Sequence, residues 1–96
     1  MAAYVVNEIW VEDAAIFQTY VVQVPPTLEP FAGRYLVRSG ATEPVEGEPP
    51  GRIVILEFPD RAAALAWRAS AAYQAILPIR DASSTSRVYV VEGYQP

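Results

Sequence analysis

The chain has no cysteine, no histidine and no lysine. Without cysteine there are no disulfides, no thiolate metal sites and no catalytic thiol. Without histidine the commonest general base near neutral pH, the commonest zinc ligand and every Ser-His or Cys-His nucleophile are gone. Without lysine the positive charge rests on seven arginines, set against eleven acids for a net charge of −4. An acidic chain with no basic run is poorly suited to nucleic acid, whose non-specific binding rests on many phosphate contacts. Long hydrophobic runs are missing too. The apolar N-terminal stretch is broken by Asn7, Glu8 and Glu12 and has no basic lead-in, so it reads as neither a signal peptide nor a membrane span. A cytoplasmic location is expected, with no nucleic-acid or membrane partner. No glycine motif for phosphate is present. Any chemistry falls to carboxylates, arginines, tyrosines and backbone groups; no resident metal or cofactor is expected.

What is present is a core. Ninety-six residues, 52% of them apolar, make a single domain spanning residues 1–96. Its organising stretch is Arg52 to Phe58, where Ile53, Val54, Ile55, Leu56 and Phe58 form an apolar run bounded by Pro49-Pro50-Gly51 and Pro59. Such a run reads as a central strand buried on both faces. Ala3 to Val11 is a first strand, apolar on both faces, each face admitting one polar residue. Asp13 stands where a helix cap belongs, and Phe17, Tyr20, Val21, Val24 and Leu28 recur at helical steps. Pro25-Pro26 is expected to stop that helix near Gln23, with a short turn from Pro26 to Pro30. Arg34 to Arg38 is a second strand, with Arg34, Leu36 and Arg38 on one face and Ala41 to Val45 as an extension. Asp60 caps a second helix. Ser70 caps a further turn to Leu77, and Pro78 is expected to open a third piece at a changed angle. Asp81 to Ser86 reads as a loop and Arg87 to Glu92 as the last strand.

The order β-α-β-β-α-β defines a ferredoxin-like α+β fold: a four-stranded antiparallel sheet with both helices on one face. Strands one and three are expected at its centre, parallel to each other. All four strands carry large apolar residues on both faces, whereas a sheet with one wet face alternates apolar and polar. The helix-free face is therefore expected to pair with the same face of a second copy, giving a homodimer and a dimeric α+β barrel.

Several of these residues also fall into a family pattern. Gly33-Arg34-Tyr35-Leu36-Val37-Arg38, Val45-Glu46-Gly47, Gly51 to Pro59, Ala66-Trp67, Tyr73-Gln74-Ala75-Ile76, Arg80 and Val91-Glu92-Gly93 resemble the bacterial family called domain of unknown function 1330. The resemblance covers nearly the whole chain and implies the ferredoxin-like subunit of the dimeric α+β barrel superfamily. That superfamily includes cofactor-free monooxygenases, muconolactone-isomerase-like enzymes and plain binding proteins, so the resemblance implies a fold rather than an activity. The chain departs from the pattern at Glu48, before the hairpin prolines, and at Arg68, after the helix tryptophan.

Five residues form the candidate ligand-binding set: Arg34, Arg38, Glu57, Tyr73 and Arg80. Arg34 and Arg38 on strand two face Glu57 on the central strand, an arrangement in which arginine holds a carboxylate or enolate while Glu57 moves a proton. The plainer reading is a cross-strand ion pair. Tyr20, Tyr73 and Arg80 come from the helices and can bind an oxygenated molecule at a helix–sheet cleft. They can equally be packed rings and a helix-end charge. Glu43, Glu46 and Glu48 suggest a hard-metal site less well than a solvated hairpin tip. Two functions follow. One is a protein that binds or transforms a small oxygenated organic molecule without a metal; the other is a non-catalytic interaction module whose polar residues are ion pairs.

Overall fold

The computed structural model describes residues 1–96. Strand β1 (Ala3–Val11) leads through helices α1 (Ala14–Val21) and α2 (Val24–Leu28) and a 3-10 turn (Glu29–Phe31) to β2 (Arg34–Gly40). Then come β3 (Arg52–Phe58), α3 (Arg61–Ala69), α4 (Ala71–Ser83) and β4 (Ser84–Glu92). The sheet order is β2-β3-β1-β4. Every neighbouring pair is antiparallel, the central β1–β3 pair included. That corrects the expectation of parallel central strands. A helical crossover returns β2 in the direction of β1, and the β2–β3 hairpin then inserts β3 between them, opposed to both.

Short polar side chains define the helix starts. Asp13 accepts from the Ile16 amide at 3.1 Å, and Asp60 from the Ala63 amide at 2.8 Å, each satisfying an otherwise unpaired N–H of a first turn. Pro25 and Pro26 fall in the first turn of α2, where their missing N–H groups cost no helical bond. Pro78 behaves otherwise than expected. Helix α4 passes through it without a break. Pro78 and Gln74 both lie on the exposed side, so water can satisfy the carbonyl that the proline leaves unpaired. Packing of Tyr73, Ile76 and Arg80 then outweighs a penalty of about 3 kcal/mol.

The expected loop from Asp81 to Ser86 is not a loop either. Ser83 donates to the carbonyl of Ile79 at 2.7 Å, and Ser84 to that of Arg80 at 2.6 Å. With these last helical carbonyls satisfied, α4 turns directly into β4. Beyond Gly40 the anticipated strand extension over Ala41 to Val45 is absent, and the connection to β3 is irregular.

Both helical segments pack on one face of the sheet, giving a slab of 35 × 35 × 16 Å. Between the layers runs a file of aromatic rings. Phe58 meets Trp67 at 5.4 Å, Trp67 meets Tyr73 at 4.2 Å, Tyr73 meets Tyr20 at 6.2 Å and Tyr20 meets Phe17 at 5.6 Å between centroids. The other face has no cover within the chain. Register places Val6, Val37, Ile53, Ile55, Tyr89 and Val91 there, with Tyr89 and Val91 each 47% exposed.

Candidate functional site

A cleft opens between the β2–β3–β1 part of the sheet and helices α1 and α2. Its empty volume, open mouth included, is about 430 Å³, of which about 30 Å³ is accessible to the centre of a water-sized sphere, room for roughly two waters. Val24, Val54, Leu56, Phe17 and Trp67 supply apolar wall, and Asn7, Tyr20, Tyr35, Arg38 and Ser39 supply the polar groups.

Asn7 is the unusual member. It sits in mid-strand on the core side of β1, only 5% exposed. Its amide nitrogen donates to the carbonyl of Val54 at 3.1 Å and to that of Val5 at 3.4 Å. Two carbonyl neighbours require the NH₂ end there, which leaves Oδ1 as an acceptor with no partner in the chain.

Arg38 stands at the mouth, its guanidinium 4.8 Å from the centroid of the Tyr35 ring. It is exposed and makes no salt bridge. Stacking of this kind is worth about 0.5–1 kcal/mol at an exposed site, weak enough for the side chain to swing aside. Burial raises the Tyr35 hydroxyl above the usual tyrosine range, with Arg38 pulling the other way. Burial raises Tyr20 more strongly, with the neighbouring Tyr73 adding to the effect. Both remain protonated hydroxyls near neutral pH.

Behind Tyr20 is a polar chain inside the helical layer. The Tyr20 and Tyr73 hydroxyl oxygens are 2.8 Å apart, and Arg80 Nη1 donates to the Tyr73 hydroxyl at 3.4 Å. Tyr73 is fully buried and Arg80 is 7% exposed. Arg80 Nη2 reaches Asp81 at 3.4 Å, while its Nε has no partner. A second buried pair fixes Trp67, whose indole donates to Thr27 Oγ1 at 3.0 Å.

Of the five residues read from the sequence, the structure divides one group and unites another. Arg34 lies opposite Glu57 in register, and Nε meets Oε1 at 2.6 Å, so the cross-strand ion pair is real. Arg38 is not part of it. The pairing of β2 with β3 shifts between Tyr35 and Val37, and again between Arg38 and Gly40. The first bulge turns Arg38 onto the helix-covered face while Arg34 and Glu57 stay on the open one. The expected Arg38–Glu57 pairing, and Glu57 as a proton carrier in a shared pocket, are thereby corrected. Tyr73 and Arg80 do come together, but behind Tyr20 and outside the lining of the cleft. Asn7 and Tyr35 were not singled out from the sequence. For Asn7 the signal existed: one amide within an otherwise apolar strand face.

A four-stranded antiparallel sheet with helices on one face, and a cleft between the layers, defines the chain as a ferredoxin-like α+β domain. It belongs to the family described as domain of unknown function DUF1330, whose model matches residues 2–94. No curated protein matches it. Among solved structures it is similar to a protein of unknown function from Rhodopseudomonas palustris, with TM-score 0.81 and 17% identity, covering 99% of this chain and 84% of the other. It is similar to SnoaB, a cofactor-independent oxygenase from Streptomyces nogalater, with TM-score 0.71 and 19% identity, covering 99% of this chain and 95% of the other. It is also similar to a dimeric ferredoxin-like protein of unknown function from Jannaschia sp. CCS1, with TM-score 0.70 and 15% identity, covering 97% of this chain and all of the other. At these identities the likeness is one of fold.

Proposed function

We infer that the cleft binds a small organic molecule carrying at least one oxygen substituent. Its apolar body lies against Val24, Val54 and Leu56, and its polar end meets Arg38 and Asn7. The observation that carries this reading is the unpaired Asn7 Oδ1 opening onto a largely apolar cleft. The fully buried side-chain atoms without a partner are Arg80 Nε and Ser86 Oγ; Asn7 Oδ1 is instead open to the cleft, where a water or a ligand O–H can meet it. Arg38, without a carboxylate partner, supports an electron-rich ligand oxygen at the mouth. SnoaB, of similar fold, is a cofactor-independent oxygenase, which supports small-molecule chemistry as something this architecture accommodates. Arg34 and Glu57 serve the sheet in this reading.

The working unit is a homodimer closed through the open sheet face. Its charges are already paired within one protomer: Arg34 with Glu57 at 2.6 Å, and Glu8 with Arg87 at 3.2 Å and Tyr89 at 2.7 Å. A second copy can cover the apolar residues between them without stranding a charge. The Jannaschia protein of similar fold is described as dimeric.

A thermal-shift screen of small carboxylates, ketones and phenols tests the binding reading. A ligand present at 100 times its Kd stabilises the folded protein by about 2.7 kcal/mol. That shift shrinks in Arg38→Met and persists in the Arg34→Met/Glu57→Leu double variant. A broad panel that moves the melting temperature of neither protein nor variants overturns it.

A further inference from the structure

We propose that Arg80, Tyr73 and Tyr20 form a one-way hydrogen-bond relay, which turns the Tyr20 hydroxyl hydrogen into the cavity to receive the anionic oxygen of an enol or phenol ligand. The proposal rests on the cleft being a ligand site and adds the ligand's chemistry.

The direction follows from counting hydrogens. A guanidinium only donates, so Tyr73 accepts along the 3.4 Å contact from Arg80. The two tyrosine hydroxyls, 2.8 Å apart, share one hydrogen, and either oxygen can donate it. If Tyr20 donated, the hydrogen of Tyr73 would be left over. Tyr73 is 0% exposed and its hydroxyl meets only Tyr20 and Arg80, so that hydrogen would be stranded at a cost of about 1–3 kcal/mol. If Tyr73 donates, the hydrogen left over belongs to Tyr20. Tyr20 lines the cavity and meets no other acceptor in the chain. The second arrangement wins, because a water or ligand in the cavity can take that hydrogen.

The relay also has a charged end. The Arg80 side chain is 8% exposed, and its one acid contact, Asp81, is 63% exposed and no closer than 3.4 Å. Its Nε finds no acceptor. A buried cation so poorly compensated polarises the hydroxyls that follow it, and hydrogen bonds in such a chain reinforce one another. An anionic oxygen at the cavity end supplies counter-charge that Asp81 supplies only in part. Burial keeps Tyr20 protonated, which suits it to donate rather than to act as a base. Tyr20 is the residue that touches the ligand; Tyr73 and Arg80 are positioning residues. On binding, the ligand's acidic proton leaves to solvent and the negative charge stays on its oxygen.

Acetylacetone is the probe, because its enolate and neutral forms differ in ultraviolet absorbance. Cavity occupancy is read separately from the methyl NMR shifts of Val24 and Val54. In the unaltered protein both methyl groups shift and the bound probe is more ionised than the free probe at the same pH. Tyr20→Phe leaves the methyl shifts in place and lowers the ratio of bound enolate to neutral probe roughly tenfold to a hundredfold, the loss of one charge-assisted hydrogen bond, while Tyr73→Phe keeps that donor but cuts it off from Arg80 and lowers the ratio by less. Should Tyr73→Phe unfold, Tyr20→Phe carries the test, since it leaves the Arg80–Tyr73 contact intact and removes the donor itself. Shifted methyls with equal ionisation in the unaltered protein and the variants overturn the relay and leave the cleft as a ligand site. Methyls that do not shift at any probe concentration overturn both readings.

Discussion

Tyr20 illustrates how one side chain carries both packing and charge consequences. Its ring packs between Phe17 and Tyr73 while its hydroxyl is held in a site where ionisation is unfavourable. Burial is the main cause, followed by Tyr73, with Arg80 opposing and Tyr35 adding a little. A tyrosine ionises from neutral to negative, so a folded-state pKa raised above the unfolded value of about 10 means the folded state keeps its proton longer. The resulting stabilisation is fully present below that pH and is lost as pH rises beyond it, by about 1.4 kcal/mol per pH unit for one such group. Urea midpoints measured from about pH 9 upward should therefore fall, and Tyr20→Phe should fall less steeply. Equal slopes for the two proteins would show that Tyr20 ionises as freely in the fold as out of it. Gly33 is a second constrained position. A Cβ there would lie 2.6 Å from Phe58 Cε1 and 3.1 Å from Leu28 Cδ2, so the strand start and the core ring share a space that only glycine leaves open.

Among the elements, the junction of α3 and α4 depends on one hydroxyl. Ser70 ends α3 by donating to the Trp67 carbonyl at 2.6 Å, and starts α4 by accepting from the Tyr73 amide at 3.3 Å. Ser70→Ala removes both bonds and should cost about 1 kcal/mol, within the usual range for a lost cap, read as a lower urea midpoint with unchanged slope. A cost near zero would mean that packing alone sets the angle between the helices. Ser70, like Asp13 and Asp60, was legible as a cap because its chemistry is local and its partner lies three residues on. The two apolar faces of β1 and β3 were legible for the same reason: alternation is a property of adjacent residues. The bulge in β2 was not. Nothing in Arg34-Tyr35-Leu36-Val37-Arg38 says that one residue is skipped in the pairing with β3, and a single skip moves Arg38 to the other face. That is why the ion pair was foreseen with two arginines and has one. Pro78 misled in the opposite sense. Its sequence argues for a break, but its exposed position in α4 decides otherwise, and exposure is a property of the assembled fold.

At the scale of the whole molecule, the slab is asymmetric: 16 Å thick, with helices on one side and a sheet face bearing Val6, Val37, Ile53, Ile55 and Tyr89 on the other. Val6 stands between Ile55 and Tyr89 in register, so Ile55 lies near the middle of that face. Large exposed apolar patches on soluble chains mark interaction surfaces, and a face whose charges are paired within the protomer is suited to meet its own copy. The protein should therefore scatter light as a dimer at micromolar concentration, with a melting temperature that rises as protein concentration rises. Ile55→Glu would bury one uncompensated carboxylate per protomer at the interface, and two close together if the two-fold axis passes nearby, a cost of several kcal/mol. It should yield a monomer or an unfolded chain, because obligate dimers often have no stable folded monomer. Leu65→Glu provides the control. Leu65 is 48% exposed on α3, away from the sheet face, and the same substitution there should leave mass and melting temperature nearly unchanged. A stable monomer mass for the unaltered protein, with a melting temperature independent of concentration, would leave the sheet face without a partner and remove the dimer from the proposal.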